Sequence, residues 1–256
     1  MSITRKRIVI LAGDVDSRPY VVRALEAEHE VLRVVIEDKE PRGMFLRRRA
    51  KRLGWWVVFG QVLFMLIAVP VLRWFGKKRA ATLKARYGFA GTTLDPALVT
   101  RVSSVNAPET EALLRELQPD AIVLHGTRIV KRRILEATEA VVLNIHAGMT
   151  PMFRGVHGGY WALQSGHPEL FGVTLHKVDS GIDTGEVVAQ KVCEYTTQDN
   201  FTTYPLIQLG EGLALLRTAL VQEGIETYTP DALFSQVWYH PTLWGYVWDS
   251  VRHGVR

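Results

Sequence analysis

Asn144 and His146 are separated by one aliphatic residue in Leu143-Asn144-Ile145-His146. Residues two apart on a β-strand point to the same side, so the amide and the imidazole would emerge together. Downstream, Asp179-Ser180-Gly181-Ile182-Asp183-Thr184-Gly185 presents two carboxylates on a glycine-rich stretch. An amide, an imidazole and a carboxylate suit acyl transfer to an amine. The amide NH2 can donate to a developing oxyanion and the imidazole can move a proton. A carboxylate raises the basicity of the imidazole and holds its tautomer. Asn and His at a strand end also serve as turn and capping residues, so the spacing alone leaves both readings open.

These groups meet only if the surrounding elements bring them together. Residues 7–11 are a short β-branched run closed by Ala12-Gly13-Asp14, which reads as a buried strand entering a turn. Residues 18–28 have the helical spacing of Val21, Val22 and Leu25, and residues 31–36 read as a second strand. A β-α-β start predicts a parallel sheet with crossover helices. The same rhythm returns as a helix over 109–117, a strand over 121–125, a short helix over 131–137 and a strand over 140–145. A Gly/Pro-rich loop over 146–159 and a helix over 160–165 follow. Strands over 173–178 and 187–192 then flank the Asp loop. Residues 202–223 read as a long amphipathic helix through Leu206, Leu209, Leu213, Leu216 and Leu220, ahead of an aromatic-rich tail. Asn144 and His146 therefore stand at the C-terminal end of a strand, the edge at which open parallel sheets bind ligands.

Several classes are excluded. With 47% apolar and 22% charged residues over 256 positions, the chain is globular rather than disordered or repetitive. A single cysteine, Cys193, rules out an intramolecular disulfide framework and a cysteine-rich zinc site. The first turn, Gly13-Asp14-Val15-Asp16, lacks the glycine spacing of a dinucleotide fingerprint, and no Gly-Lys-Ser/Thr follows a glycine-rich loop. His176, His240 and His253 lack metal-ligand spacing, and no metal is expected. His125, ending an apolar strand, reads first as a hydrogen-bonded structural histidine. The first apolar run is too short for a signal peptide, so a cytoplasmic protein is expected.

Residues 144–185 resemble the signature of the folate-dependent formyltransferases, the family of glycinamide ribonucleotide, methionyl-tRNA and nucleotide-sugar formyl transfer. The likeness rests on Asn144, His146, Pro151, Arg154-Gly155, Gly172-Val173-Thr174 and Asp183-Thr184-Gly185, with Asp183 standing 37 residues after His146. The resemblance implies a doubly wound, mostly parallel, Rossmann-like α/β sheet. It implies 10-formyltetrahydrofolate as formyl donor and a catalytic set of Asn144, His146 and Asp183. In that reading Asn144 holds the oxyanion, His146 shuttles the amine proton and Asp183 orients His146. Asp179 is the competing carboxylate and is expected to cap the loop. By position, the donor would lie against His125, Gly126, Thr127 and Arg128 before the Asn strand and against Val178, Asp179, Gly181 and Ile182 on the Asp loop.

The acceptor is less legible. Only about seventy residues follow the Asp loop, short of the extra C-terminal domain of the methionyl-tRNA branch, so no nucleic-acid partner is expected. The sequence Gly155-Val156-His157 resembles the Gly-Leu-His of the purine-pathway branch. A small-molecule amine on a nucleotide-linked or lipid-linked amino sugar is the expected acceptor, with Arg18, Arg154 and His157 as candidate substrate residues and Arg128 as a further cation for its phosphates. A non-sugar amine, such as an amino acid or glycinamide derivative, and a catalytically silent membrane-associated interaction protein stay open as alternatives.

The unusual stretch is the insert at about 41–88. Residues 41–90 hold 12 Lys and Arg and no Asp or Glu, while the rest of the chain carries 19 basic and 26 acidic residues. Within it, the 20 residues 53–72 carry no charge, enough for a helix to cross a hydrocarbon core of ~30 Å. A single crossing would place strands of one sheet on opposite sides of a bilayer, and basic residues flank both ends, against the usual asymmetry. Three readings remain: a helix buried in this protein or in a homodimer interface, a helical hairpin dipping into the inner leaflet, or an interfacial anchor. In the last, Trp55, Trp56, Phe59 and Trp74 lie at headgroup depth, and residues 45–79 make a peripheral contact with the inner membrane face. The expected organisation is a catalytic domain over 1–200 carrying this insert, and a helical, aromatic-rich extension over 201–256.

Overall fold

A computed structural model describes residues 5–222 and 224–255. In strand β1 (Arg7–Ala12) the side chains of Ile8, Ile10 and Ala12 join one core and those of Val9 and Leu11 another. A strand apolar on both faces belongs in the middle of a covered sheet. It lies there. The chain continues through α1 (Arg18–Glu26) to β2 (Glu30–Glu37), and after the insert reaches β3 (Val99–Val102). Helix α5 (Pro108–Leu117), β4 (Ala121–His125), the short α6 (Arg132–Leu135) and β5 (Val141–His146) complete the parallel part. Strands β7 (Gly172–Lys177) and β8 (Val187–Val192) add an antiparallel edge. Among the described residues the sheet has seven strands in the order β3-β2-β1-β4-β5-β7-β8. This is the expected doubly wound α/β architecture. Helix α1 and the long α8 (Tyr204–Leu220) cover one face, α5 and α6 the other.

Two elements depart from the sequence reading. The edge strand β3, with the sequence Val-Thr-Arg-Val, buries only Val102 and lacks the apolar run that marks its neighbours. The loop after β5 holds a short strand, β6 (Phe153–Gly155), and the first turn of α7 (Gly158–Gln164). Strand β6 pairs in parallel with β9 (Gln236–Trp238), so the tail returns to the sheet's C-terminal edge before ending in α9 (Leu243–His253). Helix α8 ends at Leu220, and Glu223, to which its pattern extends, lies outside the described residues. Leu209, Leu213, Leu216 and Leu220 of α8 share the core of β1, so the sheet's packing draws on residues beyond 200.

The insert occupies the crossover between the parallel neighbours β2 and β3. Helix α2 (Arg42–Leu53) stops at Gly54, whose φ of +85° breaks the helical path. A single 32-residue helix then runs over Trp55–Arg86. It consists of α3 (Trp55–Leu63), a wide π turn over Phe64–Ala68 and α4 (Val69–Arg86). This corrects the hairpin reading. Gly60 does not bend the chain; it makes room for Trp244 of α9, whose ring would lie 2.3 Å from a built Cβ. Pro70 is tolerated because the hydrogen-bond ladder is already displaced, with the Val69 N–H bonded to Phe64 O. Both ends of the helix return to adjacent strands, which excludes a single membrane crossing. One stripe, including Val58, Gln61, Phe64, Val69 and Leu83, is buried against the body of the protein. The opposite stripe is exposed, so the helix is not buried on all sides.

Candidate active site

Strand β5 delivers Asn144 and His146 to its C-terminal end, where antiparallel pairing sets Asn144 opposite His176 and His146 opposite Thr174. The Nδ2 of Asn144 donates to Nε2 of His176 over 3.1 Å. His176 Nδ1 in turn lies 2.8 Å from the Lys177 carbonyl, and its Nε2 also lies 3.6 Å from Oδ1 of Asp183. In the sequence His176 lacks metal-ligand spacing and carries no other signal. Only the β5–β7 register could have revealed it as the neighbour of Asn144.

His146 is 5% exposed. Its Nε2 lies 2.6 Å from the Phe153 carbonyl oxygen and its Nδ1 lies 3.3 Å from Oδ2 of Asp183. Gly148 makes this possible. A Cβ there would sit 2.5 Å from the Phe153 oxygen and 2.8 Å from His146 Nε2. Burial pushes the His146 pKa below the ordinary imidazole range, against the pull of Asp183 and the Phe153 carbonyl. Both ring nitrogens nonetheless face acceptors, so the doubly protonated ring is the one that satisfies both. Desolvation opposes the charge and geometry accommodates it, which suits a group that holds a proton only briefly.

Asp183 sits on the loop between β7 and β8 with φ +50°. Its Oδ2 accepts from the Gly155 N–H over 2.9 Å. Burial would raise this carboxyl, but His146, His176 and the Gly155 amide outweigh it and hold its pKa at about 2. Asp179 caps the loop as expected, its Oδ1 accepting from the Gly181 N–H at 3.0 Å and the Thr184 hydroxyl at 2.8 Å. The two carboxylates thus have separate tasks: Asp183 faces the imidazoles, while Asp179 folds the loop that carries it.

A cleft of about 740 Å³ opens over Asn144, His146 and Asp183, a size suited to a small molecule. One bank comprises Gly126, Thr127, Arg128, Val178, Asp179, Gly181 and Ile182, all placed on the donor side by sequence. The other comprises His157, Val237, Trp238 and Tyr239. His157 pairs with His240 over 3.1 Å, and burial drives the pKa of both well down, that of His240 to about 4.

Three sequence candidates lie apart from the cleft lining. His125 bonds Ser17 Oγ over 2.7 Å, and burial lowers its pKa to about 4, as befits a structural histidine. Arg18 pairs with Asp14, and Arg154 donates to the Ile182 carbonyl at 3.4 Å, bracing the Asp loop. Arg128 borders the cleft, but its backbone N–H donates to the buried Glu37 over 2.6 Å and its guanidinium engages Glu37 and the Asp38 carbonyl. Glu37 went unnoticed in the sequence because it reads as the polar end of β2. Among the described residues no group of three His, Cys, Asp or Glu side chains is arranged to hold a metal ion.

A family model described as formyl transferase matches residues 72–206, more than half of the chain. This chain belongs to the formyl transferase family. The methionyl-tRNA formyltransferase of Kosmotoga olearia is 33% identical over 149 residues, covering 57% of this chain and 47% of that protein. The chain spans about half the length of the curated relatives it matches, or less. Glycinamide ribonucleotide transformylase 1 from Symbiobacterium toebii superposes with a TM-score of 0.55 at 19% identity, over 89% of this chain and 95% of that one. A candidate sugar N-formyltransferase from Mycobacterium tuberculosis gives 0.53 at 17% identity, over 89% and 72%. At these identities the superpositions establish the formyltransferase fold. The family's formyl donor is 10-formyltetrahydrofolate. Asn144, His146 and Asp183 all lie within the matched span of this formyltransferase-family chain, whereas α2, α3 and α9 lie outside it.

Proposed function

We propose that this chain is a cytoplasmic N-formyltransferase that moves a formyl group from 10-formyltetrahydrofolate to the primary amine of a nucleotide-linked or lipid-linked amino sugar. The observation that carries the reading is the meeting of Asn144, His146 and Asp183 at one cleft. Residues 1–200 carry this chemistry, and residues 201–256 complete the acceptor bank. The apolar flank of Ile129, Val130 and Val178 fits a flat pteridine beside the loops at 126–129 and 178–182. Bound there, the donor supplies a formyl carbon attached to a nitrogen leaving group. Asn144 donates from its amide to the formyl oxygen as negative charge grows on it. His146, exchanging the contact of its Nε2 with the Phe153 carbonyl for one with the amine, takes the proton from the attacking amine and returns it to the departing nitrogen. Asp183 holds the ring in place and stabilises it while charged. His176 fixes the plane of the Asn144 amide.

Tyr239 on the second bank lies under the guanidinium groups of Arg49 and Arg52, at 6.0 and 5.2 Å from its ring centroid. Cations beside that bank suit the phosphate of a phosphate-linked amino sugar, which favours the sugar acceptor. The curated relatives are named for methionyl-tRNA, so an aminoacyl amine is the second reading. Incubation with 10-formyltetrahydrofolate and a panel of aminated nucleotide sugars, aminated lipid-linked sugars and aminoacyl amines, following tetrahydrofolate release, separates them. Turnover confined to sugars supports the first reading and turnover confined to aminoacyl amines the second. No turnover with any amine removes the proposal.

A further inference from the structure

The strongest feature outside the cleft is an apolar face built by two parts of the chain remote in sequence. On the long insert helix, Trp55, Trp56, Phe59, Leu66, Trp74 and Phe75 are all at least half exposed, with Trp74 at 72%. On α9, Val247, Trp248 and Val251 are likewise exposed, Trp248 at 63%. The two helices are joined, not merely near. Trp56 stacks on Trp244 with ring centroids 4.8 Å apart, and Gly60 receives the same Trp244 ring. A contiguous apolar patch of this extent on a protein surface marks a contact site.

The charges around it identify the contact. Lys51 and Arg52 are exposed beside Trp55 and Trp56, and Arg73, Lys77 and Lys78 are exposed beside Trp74 and Phe75. No acidic residue lies between positions 41 and 90. A second copy of this chain would bring an identical basic rim against this one, and like charges repel. A layer of anionic headgroups over hydrocarbon matches both the rim and the face. Tryptophans bordering an apolar strip are what a helix lying in the membrane interface uses.

We infer that the insert helix and α9 together seat the protein on an anionic lipid bilayer, with the helix lying in the interface rather than crossing it. The Trp and Phe side chains enter the headgroup–acyl boundary, and the basic residues contact phosphates. The inference stands on this surface and not on the formyl-transfer reading, so its test uses no activity measurement.

The full chain is floated through a density gradient with vesicles of phosphatidylcholine alone or of equal parts phosphatidylcholine and phosphatidylglycerol. The expected result is recovery with the anionic vesicles and little with the neutral ones. W74E/F75E and W248E should each lower recovery while leaving the melting temperature unchanged. K77E/K78E should lower it more than roughly tenfold on anionic vesicles. Indole emission should shift to the blue on binding. A chain that stays in the dense fraction overturns the inference, as does equal recovery of W74E/F75E and the parent, or equal recovery on the two vesicle types. A dimer in light scattering that W74E/F75E dissociates, without flotation of the parent, assigns the face to a second copy and overturns it too.

Discussion

The cleft and the insert face are opposites in how they treat water. In the cleft, polar groups are withdrawn from solvent and each is held by a partner: Asn144 by His176, His146 by Phe153 and Asp183, Asp183 by Gly155. On the insert, large apolar groups are left in solvent although the same helix buries a second apolar stripe well. Neither arrangement is what stability alone would select. The difference teaches that the cleft is organised for chemistry and finished within the chain, whereas the insert face is unfinished until something else covers it.

The contrast breaks first at the cleft. His146→Asn should lower formyl-transfer turnover by roughly 10²–10⁴, with circular dichroism unchanged. Unaltered turnover would place the proton transfer elsewhere. The next test separates the two stripes of one helix. Phe64 is fully buried and packs edge-on against Phe201 at 4.8 Å, so Phe64→Ala should cost about 3–5 kcal/mol in denaturant unfolding. A loss below about 1 kcal/mol would mean that the inner stripe is no better packed than the outer one.

Acid sharpens the comparison on the cleft side. His125 and His240, each with a pKa depressed to about 4, stay neutral in the folded protein well below the value at which the unfolded chain protonates. Unfolding therefore takes up protons below pH ~6.5, and stability should fall steadily from there to about pH 4. Asp183 adds stability above the usual carboxylate pKa and loses it only as the pH falls toward about 2. A melting temperature flat between pH 7 and 4 would contradict the burial of these imidazoles. The smallest effect belongs to the outer stripe: Trp74→Ser should change unfolding free energy in lipid-free buffer by no more than about 0.5 kcal/mol.

Much of the cleft was legible because its signals are local. The alternation of Leu143, Asn144, Ile145 and His146 fixes two side chains on one side of a strand, and the glycines around Asp183 mark a loop. His176, Glu37 and Tyr239 were not legible, since each acquires its neighbours through strand register or the return of the tail to β6. Arg18 and Arg154 pass as substrate candidates in the sequence because their partners, Asp14 and the Ile182 carbonyl, are decided by loop shape. In the sequence the continuous helix and the hairpin stay open side by side for a related reason. Gly60 and Pro70 look like breakers until the ring of Trp244 and the displaced ladder at Val69 are in place.

The wide turn over Phe64–Ala68 does more than tolerate a proline. A regular helix advances about 100° per residue, and a π turn absorbs one surplus residue without that advance. The bulge therefore brings Trp74 and Phe75 back into phase with Trp55 and Trp56. Straightened into regular α-helix with every residue kept, the same segment would twist the two halves of the outer strip apart by roughly a quarter turn.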